Sequence, residues 1–214
     1  MRLVLPPLYV ILDAALLTIS ETACARQLVD AGVRLLQYRN KTASSRELLK
    51  RSKRLSAEWV SRGVTFIVND RADVAALADA SGVHVGQEDL GAEEARVVVG
   101  PDKLVGVSTH NRTQFEQAAA TSADYIAVGP IFATSTKANP DPAVGTEFIR
   151  EVRPLTDKPI VAIGGITLKR AAEVVRAGAD SVAVISDILR AAYPGERARE
   201  FLKILQEANH AAGA

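Results

Sequence analysis

Ile160-Val161-Ala162-Ile163 leads into Gly164-Gly165, and Thr167 to Gly178 leads into Ser181-Val182-Ala183-Val184-Ile185. These 26 or so residues hold a complete structural unit. The first and last runs are short, nearly all apolar and rich in β-branched side chains, which marks strands covered on both faces. Between them, Thr167 is an N-cap candidate, Val174 and Val175 continue an apolar stripe, and Gly178 suits the residue just past a helix end. Two strands of this kind joined by one helix are parallel, with a right-handed crossover.

The same unit recurs outward along the chain. Further runs are Leu8 to Leu12, Arg34 to Tyr38, Thr65 to Val68, Val83 to Val85, Leu104 to Val107 and Tyr125 to Val128. A helix between the second and third carries Leu48, Ser52, Leu55 and Trp59 on one stripe. Gly32, Gly63, Gly82 and Gly178 stand before re-entry into a strand and are expected to take the left-handed conformation that ends a helix. Eight strand signals, each followed by a helix signal, predict an α/β fold of the (βα)8 TIM-barrel type. A doubly wound open sheet is the alternative. No linker or composition shift divides residues 1–214, so one domain is expected, with 196–214 as a C-terminal helix and frayed tail.

Composition narrows the function. The 214 residues carry 26 basic and 25 acidic side chains, so the basic excess of a general nucleic-acid binder is missing. By surface scaling, a chain this long buries about 70% of its surface on folding, ample for one core. Cys24 is the only cysteine, which excludes an internal disulfide and a thiolate zinc site and suits a reducing compartment. Arg2 precedes an apolar stretch from Leu3 to Ile19, but Pro6, Pro7 and Asp13 interrupt it, unlike a signal peptide or a spanning helix. A cytoplasmic protein with no membrane or nucleic-acid partner is expected. A homo-oligomer is left open.

In a barrel the carboxyl ends of the strands face the active site. Reading only those positions collects Gln37-Tyr38-Arg39-Asn40-Lys41, Asn69-Asp70, Gln87-Glu88-Asp89, Ser108-Thr109-His110, a long segment Gly129 to Lys137, Gly164-Gly165 and Ile185-Ser186. The opposite joints are plainer. Arg39 and Lys41, from the segment after the second strand, and Lys137, from the one after the sixth, are expected to meet at one rim, and a fork plus two mobile point charges suits several phosphate oxygens. Asp70 and Asp89 follow neighbouring strands. They are either ligands of a Mg²⁺ shared with phosphate oxygens or N-caps of the following helices; Asp89, ahead of Leu90-Gly91-Ala92, suits a cap well.

Gly164-Gly165 and Ile185-Ser186 occupy the usual barrel position for a phosphate monoester. Thr134, Ser135 and Thr136 offer hydroxyls to either anion, on a connection long enough for a lid or binding loop. The remaining special residues read as structural. His84 sits within a strand and reads as a barrel-interior residue, Trp59 as core, and Cys24 as inert. His110 stands at the rim with no carboxylate partner assignable, and Ser108 lacks the setting of a nucleophile elbow.

As an ordered set, Gln37 to Lys41, Asn69-Asp70, His84 to Leu90, Gly129-Pro130-Ile131-Phe132 with Thr134 to Lys137, and Ile163 to Ile166 resemble the thiamine-phosphate synthase (thiamine-phosphate pyrophosphorylase) family, over roughly Tyr9 to Ser186. The resemblance implies a transferase of thiamine biosynthesis. It would join 4-amino-2-methyl-5-hydroxymethylpyrimidine pyrophosphate to thiazole phosphate, with one Mg²⁺ per subunit. It further implies that Gln37, Tyr38, Arg39, Asn40, Lys41, Asn69, Ser108 and Lys137 contact the pyrimidine pyrophosphate, with Arg39, Lys41, Lys137 and Ser108 catalytic. Asp70 and Asp89 would bind the metal; Thr134, Ser135, Thr136, Gly165, Ile185 and Ser186 would hold the thiazole phosphate. The family's reaction is dissociative, pyrophosphate leaving before the thiazole nitrogen attacks. Tyr9 to Asp13 and Pro142 to Gly145 depart from the common family wording. A related branch of thiazole tautomerases and a non-catalytic phosphate sensor are the rival readings; the presence together of Arg39, Lys41, Asp70, Asp89 and Lys137 argues against the first, and no feature favours the second.

Overall fold

A computed structural model describes residues 3–134 and 141–212; Ser135, Thr136 and Lys137, and the terminal residues 1–2 and 213–214, lie outside the described residues. Eight strands form one closed parallel barrel in sequence order, and the first pairs with the last. They are β1 (Leu8–Asp13), β2 (Leu35–Arg39), β3 (Thr65–Asn69), β4 (Gly82–Val85), β5 (Leu104–Thr109), β6 (Tyr125–Val128), β7 (Ile160–Ile163) and β8 (Ser181–Val184). Around them lie α1 (Glu21–Asp30), α2 (Ser45–Trp59), α3 (Ala72–Leu77), α4 (Ala92–Val99), α5 (Arg112–Ala119), α6 (Gly145–Val152), α7 (Leu168–Arg176), the single turn α8 (Ser186–Leu189) and α9 (Pro194–Ala212). The open-sheet alternative is thereby excluded. The last helix begins at Pro194, ahead of the expected Glu196, and continues through Ala212.

Two apolar layers result from strand alternation. Tyr9, Ile11, Leu35, Ile67, Tyr125, Ala127, Val161 and Ala183 fill the barrel interior, while Leu8, Val10, Leu12, Leu36 and Tyr38 face the helices. On α2 the expected stripe is the buried face: Leu48, Ser52, Leu55 and Trp59 all pack inward. Burying one such aliphatic side chain contributes about 1.5–3 kcal/mol, and truncating Leu55 to alanine costs about 2–5 kcal/mol once the cavity is counted. No helix among the described residues is long and apolar enough to cross a membrane.

Gly32, Gly63 and Gly178 have φ of +107°, +73° and +111°, as the helix-ending role requires. Gly82 does not. It lies within β4, where a Cβ would stand 2.2 Å from the Leu104 carbonyl oxygen, and Asp79 takes the positive φ (+49°) that ends α3. Thr167 does occupy the N-cap of α7, but its side chain caps nothing; the Leu168 N–H donates to Asp187 Oδ2 at 3.1 Å instead.

Candidate active site

The carboxyl ends of the strands surround a cavity of about 490 Å³, within the range of small-molecule sites. Each wall follows from strand parity. Inward positions near the strand ends, Gln37 and Arg39 on β2, Asn69 on β3, His84 on β4, Ser108 on β5 and Ile163 on β7, all line it. Gly129 and Pro130 after β6, Gly164 and Gly165 after β7, and Ile185 and Ser186 after β8 complete the circuit.

One wall is charged. Lys41 Nζ pairs with Asp70 Oδ2, and Arg39 Nη1 pairs with Asp13 Oδ2. Asp70 has a φ of +63°, a conformation that aspartate tolerates better than most residues, and its N–H donates to the His84 carbonyl at 2.7 Å. Neither Asp70 nor Asp89 caps a helix: α3 has Arg71 and α4 has Gly91 at that position. Asp89 Oδ2 accepts from the Gly86 N–H at 2.8 Å and lies against the Asp70 carboxyl. Crowding away from water, then the Asp70 charge, raises the Asp89 carboxyl above its ordinary range, with the Gly86 N–H and Lys41 opposing. Among the described residues, no group of three or more His, Cys, Asp or Glu forms a ready metal cage.

The far wall is main chain. Gly164 and Gly165 have φ of +97° and +62°, and Phe132 N–H donates to the Gly164 carbonyl at 3.0 Å. A Cβ on Gly164 would stand 2.4 Å from Pro130 Cβ, and one on Gly165 would stand 2.5 Å from the Ala133 carbonyl oxygen. Only glycine allows the two segments this approach. Thr134 also lines the cavity.

Most of the expected residues therefore meet at one mouth: Gln37, Arg39, Lys41, Asn69, Asp70, Asp89, Ser108, Thr134, Gly165, Ile185 and Ser186. The side chains of Tyr38 and Asn40 do not. Tyr38 has the opposite parity to Gln37 and lies between the barrel and its helices, donating to Glu21 Oε1 at 3.1 Å; Asn40 Nδ2 donates back to the Tyr38 hydroxyl at 3.1 Å. Ser135, Thr136 and Lys137 fall outside the described residues.

Three residues join the site without having been singled out for it: Asp13, behind Arg39, and Gln114 and Asp141 in the cavity lining. His110 does have a carboxylate partner, Asp141 Oδ2, 3.5 Å from Nε2, while its Nδ1 bonds the Gly129 carbonyl oxygen. The partner was illegible because Asp141 comes from beyond the long connection. His84 is the barrel-interior residue expected, but it also lines the cavity; its inward parity on β4 is the signal that shows this.

A closed parallel barrel with its polar groups gathered at the carboxyl ends of the strands is a (βα)8-barrel enzyme. The family model described as "Thiamine monophosphate synthase" matches residues 8–188. Over 208 residues, 94% of this chain and 96% of the relative, the sequence is 52% identical to a thiamine-phosphate synthase of Koribacter versatilis. It is 44% identical to that of Shouchella clausii, covering 85% of this chain and 87% of the relative. A solved thiamine phosphate pyrophosphorylase from Pyrococcus furiosus superposes with a TM-score of 0.86 at 32% identity, covering 95% of this chain and 96% of its own. The chain belongs to the thiamine-phosphate synthase family, and it is a transferase of thiamine phosphate formation.

Proposed function

We propose that the enzyme joins 4-amino-2-methyl-5-hydroxymethylpyrimidine pyrophosphate to thiazole phosphate, releasing pyrophosphate, in the cytoplasm and with one Mg²⁺ per subunit. The observation that carries this reading is the meeting of the Arg39–Asp13 and Lys41–Asp70 pairs with Asp89 on one wall, across from a glycine-built wall suited to a second, smaller anion.

Asp70 and Asp89 fit the metal. They are hard oxygen donors set side by side, and their mutual repulsion is the burden that a divalent cation relieves. Two carboxylates, with phosphate oxygens and water filling the remaining positions, are a donor set Mg²⁺ accepts. When bound, the ion supplies positive charge to the oxygens of the departing pyrophosphate.

The chain's own groups do the rest. Arg39, Lys41 and Lys137 meet the charge that grows as the carbon–oxygen bond breaks and its electron pair leaves with pyrophosphate. Gln37, Asn69 and Ser108 hold the pyrimidine, while Tyr38 and Asn40, whose side chains turn away, brace the strand that carries Gln37 and Arg39. The methylene cation left behind is trapped by the thiazole nitrogen, forming the carbon–nitrogen bond. No protein nucleophile is needed, so positioning and exclusion of water are the enzyme's contribution. Thr134, Ser135, Thr136, Gly165, Ile185 and Ser186 hold the thiazole phosphate. Because α8 is a single turn, individual N–H and hydroxyl donors, not a long helix dipole, carry that contact.

The test is to supply both phosphorylated substrates with Mg²⁺ and follow pyrophosphate and thiamine phosphate together. Equal amounts of the two products are expected. Product formation without pyrophosphate, or none from this pair, overturns the reading.

A further inference from the structure

An unbroken hydrogen-bonded chain crosses the barrel interior just beneath the cavity. Gln37 Nε2 donates to the Tyr9 hydroxyl at 2.7 Å, the Tyr9 and Tyr125 hydroxyls are 3.0 Å apart, Tyr125 Oη lies 3.1 Å from His84 Nδ1, and His84 Nε2 lies 2.8 Å from Ser108 Oγ. The first and last members, Gln37 and Ser108, line the cavity; Tyr9 and Tyr125 are buried at 1% and 0% exposure. The barrel makes specific room for this: a Cβ on Gly106 would stand 2.1 Å from the Tyr125 ring. Tyr125 also stacks on His84 (ring centroids 5.6 Å apart), so the imidazole has little freedom to turn.

Proton bookkeeping gives the chain a direction. Burial pushes both phenols well above their usual range, so each keeps its one proton. Among the described residues, the Tyr9 hydroxyl has two partners, and it already accepts from Gln37; its proton therefore goes to Tyr125. Tyr125 in turn donates to His84 Nδ1, which leaves the imidazole proton on Nε2, donated to Ser108 Oγ. The Ser108 proton is then directed onward, and Gln37, with Nε2 committed, keeps Oε1 as its acceptor.

We propose that Tyr9, Tyr125 and His84 are positioning residues that fix opposite hydrogen-bonding senses at the two ends of the cavity floor, acceptor at Gln37 and donor at Ser108. A ring bearing an amino donor and a ring-nitrogen acceptor fits that pair; a ring with an oxo group in place of the amino group presents the wrong sense. The inference rests on the pyrimidine reading of the site given above. It makes the two tyrosines, which touch no substrate, part of the discrimination between bases, because a site left with mismatched buried polar groups rejects the analogue.

The experiment compares two competitive inhibitors against pyrimidine pyrophosphate, the free aminopyrimidine alcohol and its 4-oxo counterpart, on the wild type and on Tyr125→Phe. The wild type is expected to prefer the amino ring by about tenfold or more, and Tyr125→Phe to lose about tenfold of that preference, with the KM for thiazole phosphate unchanged. Tyr9→Phe gives the same readout should the first variant fold poorly. In parallel, nitrogen NMR of His84 is expected to show a neutral ring protonated on Nε2 in the wild type and a mixture of tautomers in Tyr125→Phe. A wild type indifferent to the oxo group, a preference unmoved in both variants, or a ring protonated on Nδ1 overturns the proposal. Failure of the wild type to release pyrophosphate strikes the substrate reading instead, and the NMR result stands apart from it.

Discussion

Asp13 and Arg39 are register partners at the last rung of β1 and β2, and their side chains close that rung with an ion pair over the barrel mouth. The Asp13 residue is 2% exposed and its second oxygen accepts from the Ala15 N–H at 3.0 Å, so the carboxylate is held from both sides. Arg39 is thereby presented in one orientation, with the rest of its guanidinium turned to the cavity.

Asp13→Asn keeps the cap on Ala15 and removes the charge that aims Arg39. The expected result is a fall of about tenfold in kcat/KM for the pyrimidine substrate and a stability loss of about 1–2 kcal/mol, because the arginine is only partly buried. Steady-state kinetics and denaturant melts measure the two effects separately. Wild-type kinetics in the variant would remove the aiming role.

Asp70→Asn replaces a residue at φ +63° with the one other side chain that accepts that conformation almost as readily, so folding is expected to survive. Turnover is expected to fall about a hundredfold or more, and the Mg²⁺ concentration needed for half activity to rise. Lys137→Ala is expected to lower turnover similarly while leaving the melting temperature within a few degrees of the wild type. Removal of divalent ions with a chelator is expected to abolish activity, and Mg²⁺ to restore it.

Ser186→Ala is expected to act on the other anion. One hydrogen bond to a charged group is worth about 1.5–3 kcal/mol, so the KM for thiazole phosphate is expected to rise by roughly 10- to 150-fold with kcat little changed. An unchanged KM for that substrate contradicts the assignment of Ser186.

Glu21 sets a pH dependence away from the cavity. Burial alone would raise its carboxyl, but its own backbone N–H, Arg51 and Tyr38 outweigh that and hold it below the ordinary range. A carboxyl depressed in the folded state stabilises it above the unfolded value, near pH 4.3, and that stability is lost as pH falls through the folded value. Glu21→Gln is therefore expected to cost about 1 kcal/mol or less at pH 7 and nothing once the wild-type carboxyl is protonated. Melting curves from pH 7 to pH 3 follow the two proteins as they converge.

Much of the architecture was readable from residues alone because buried parallel strands announce themselves as unbroken apolar runs; Tyr125 to Val128 and Ile160 to Ile163 have the bounds expected. The convergence at the mouth was readable for the same reason: once the strand ends are known, so is the face their following residues occupy. Side-chain direction was harder. Tyr38 stands in the middle of a polar motif yet faces the helices, and only counting from the buried Leu36 reveals it. Long-range partners were not readable at all. Nothing in the spacing joins Asp13 to Arg39, Asp141 to His110, or Tyr9 to Tyr125, since each contact spans different loops and exists only after the barrel closes.

The glycine-built wall beside Pro130 and Ala133 has a bearing on how this enzyme can diversify. Opposite it, the cavity is lined by replaceable side chains, so one base change in the gene can adjust charge or reach there. Along the glycine seam there is no side chain to exchange, and the smallest addition collides with neighbouring main chain. New specificities should arise on the first bank of the mouth, while the second stays fixed in shape.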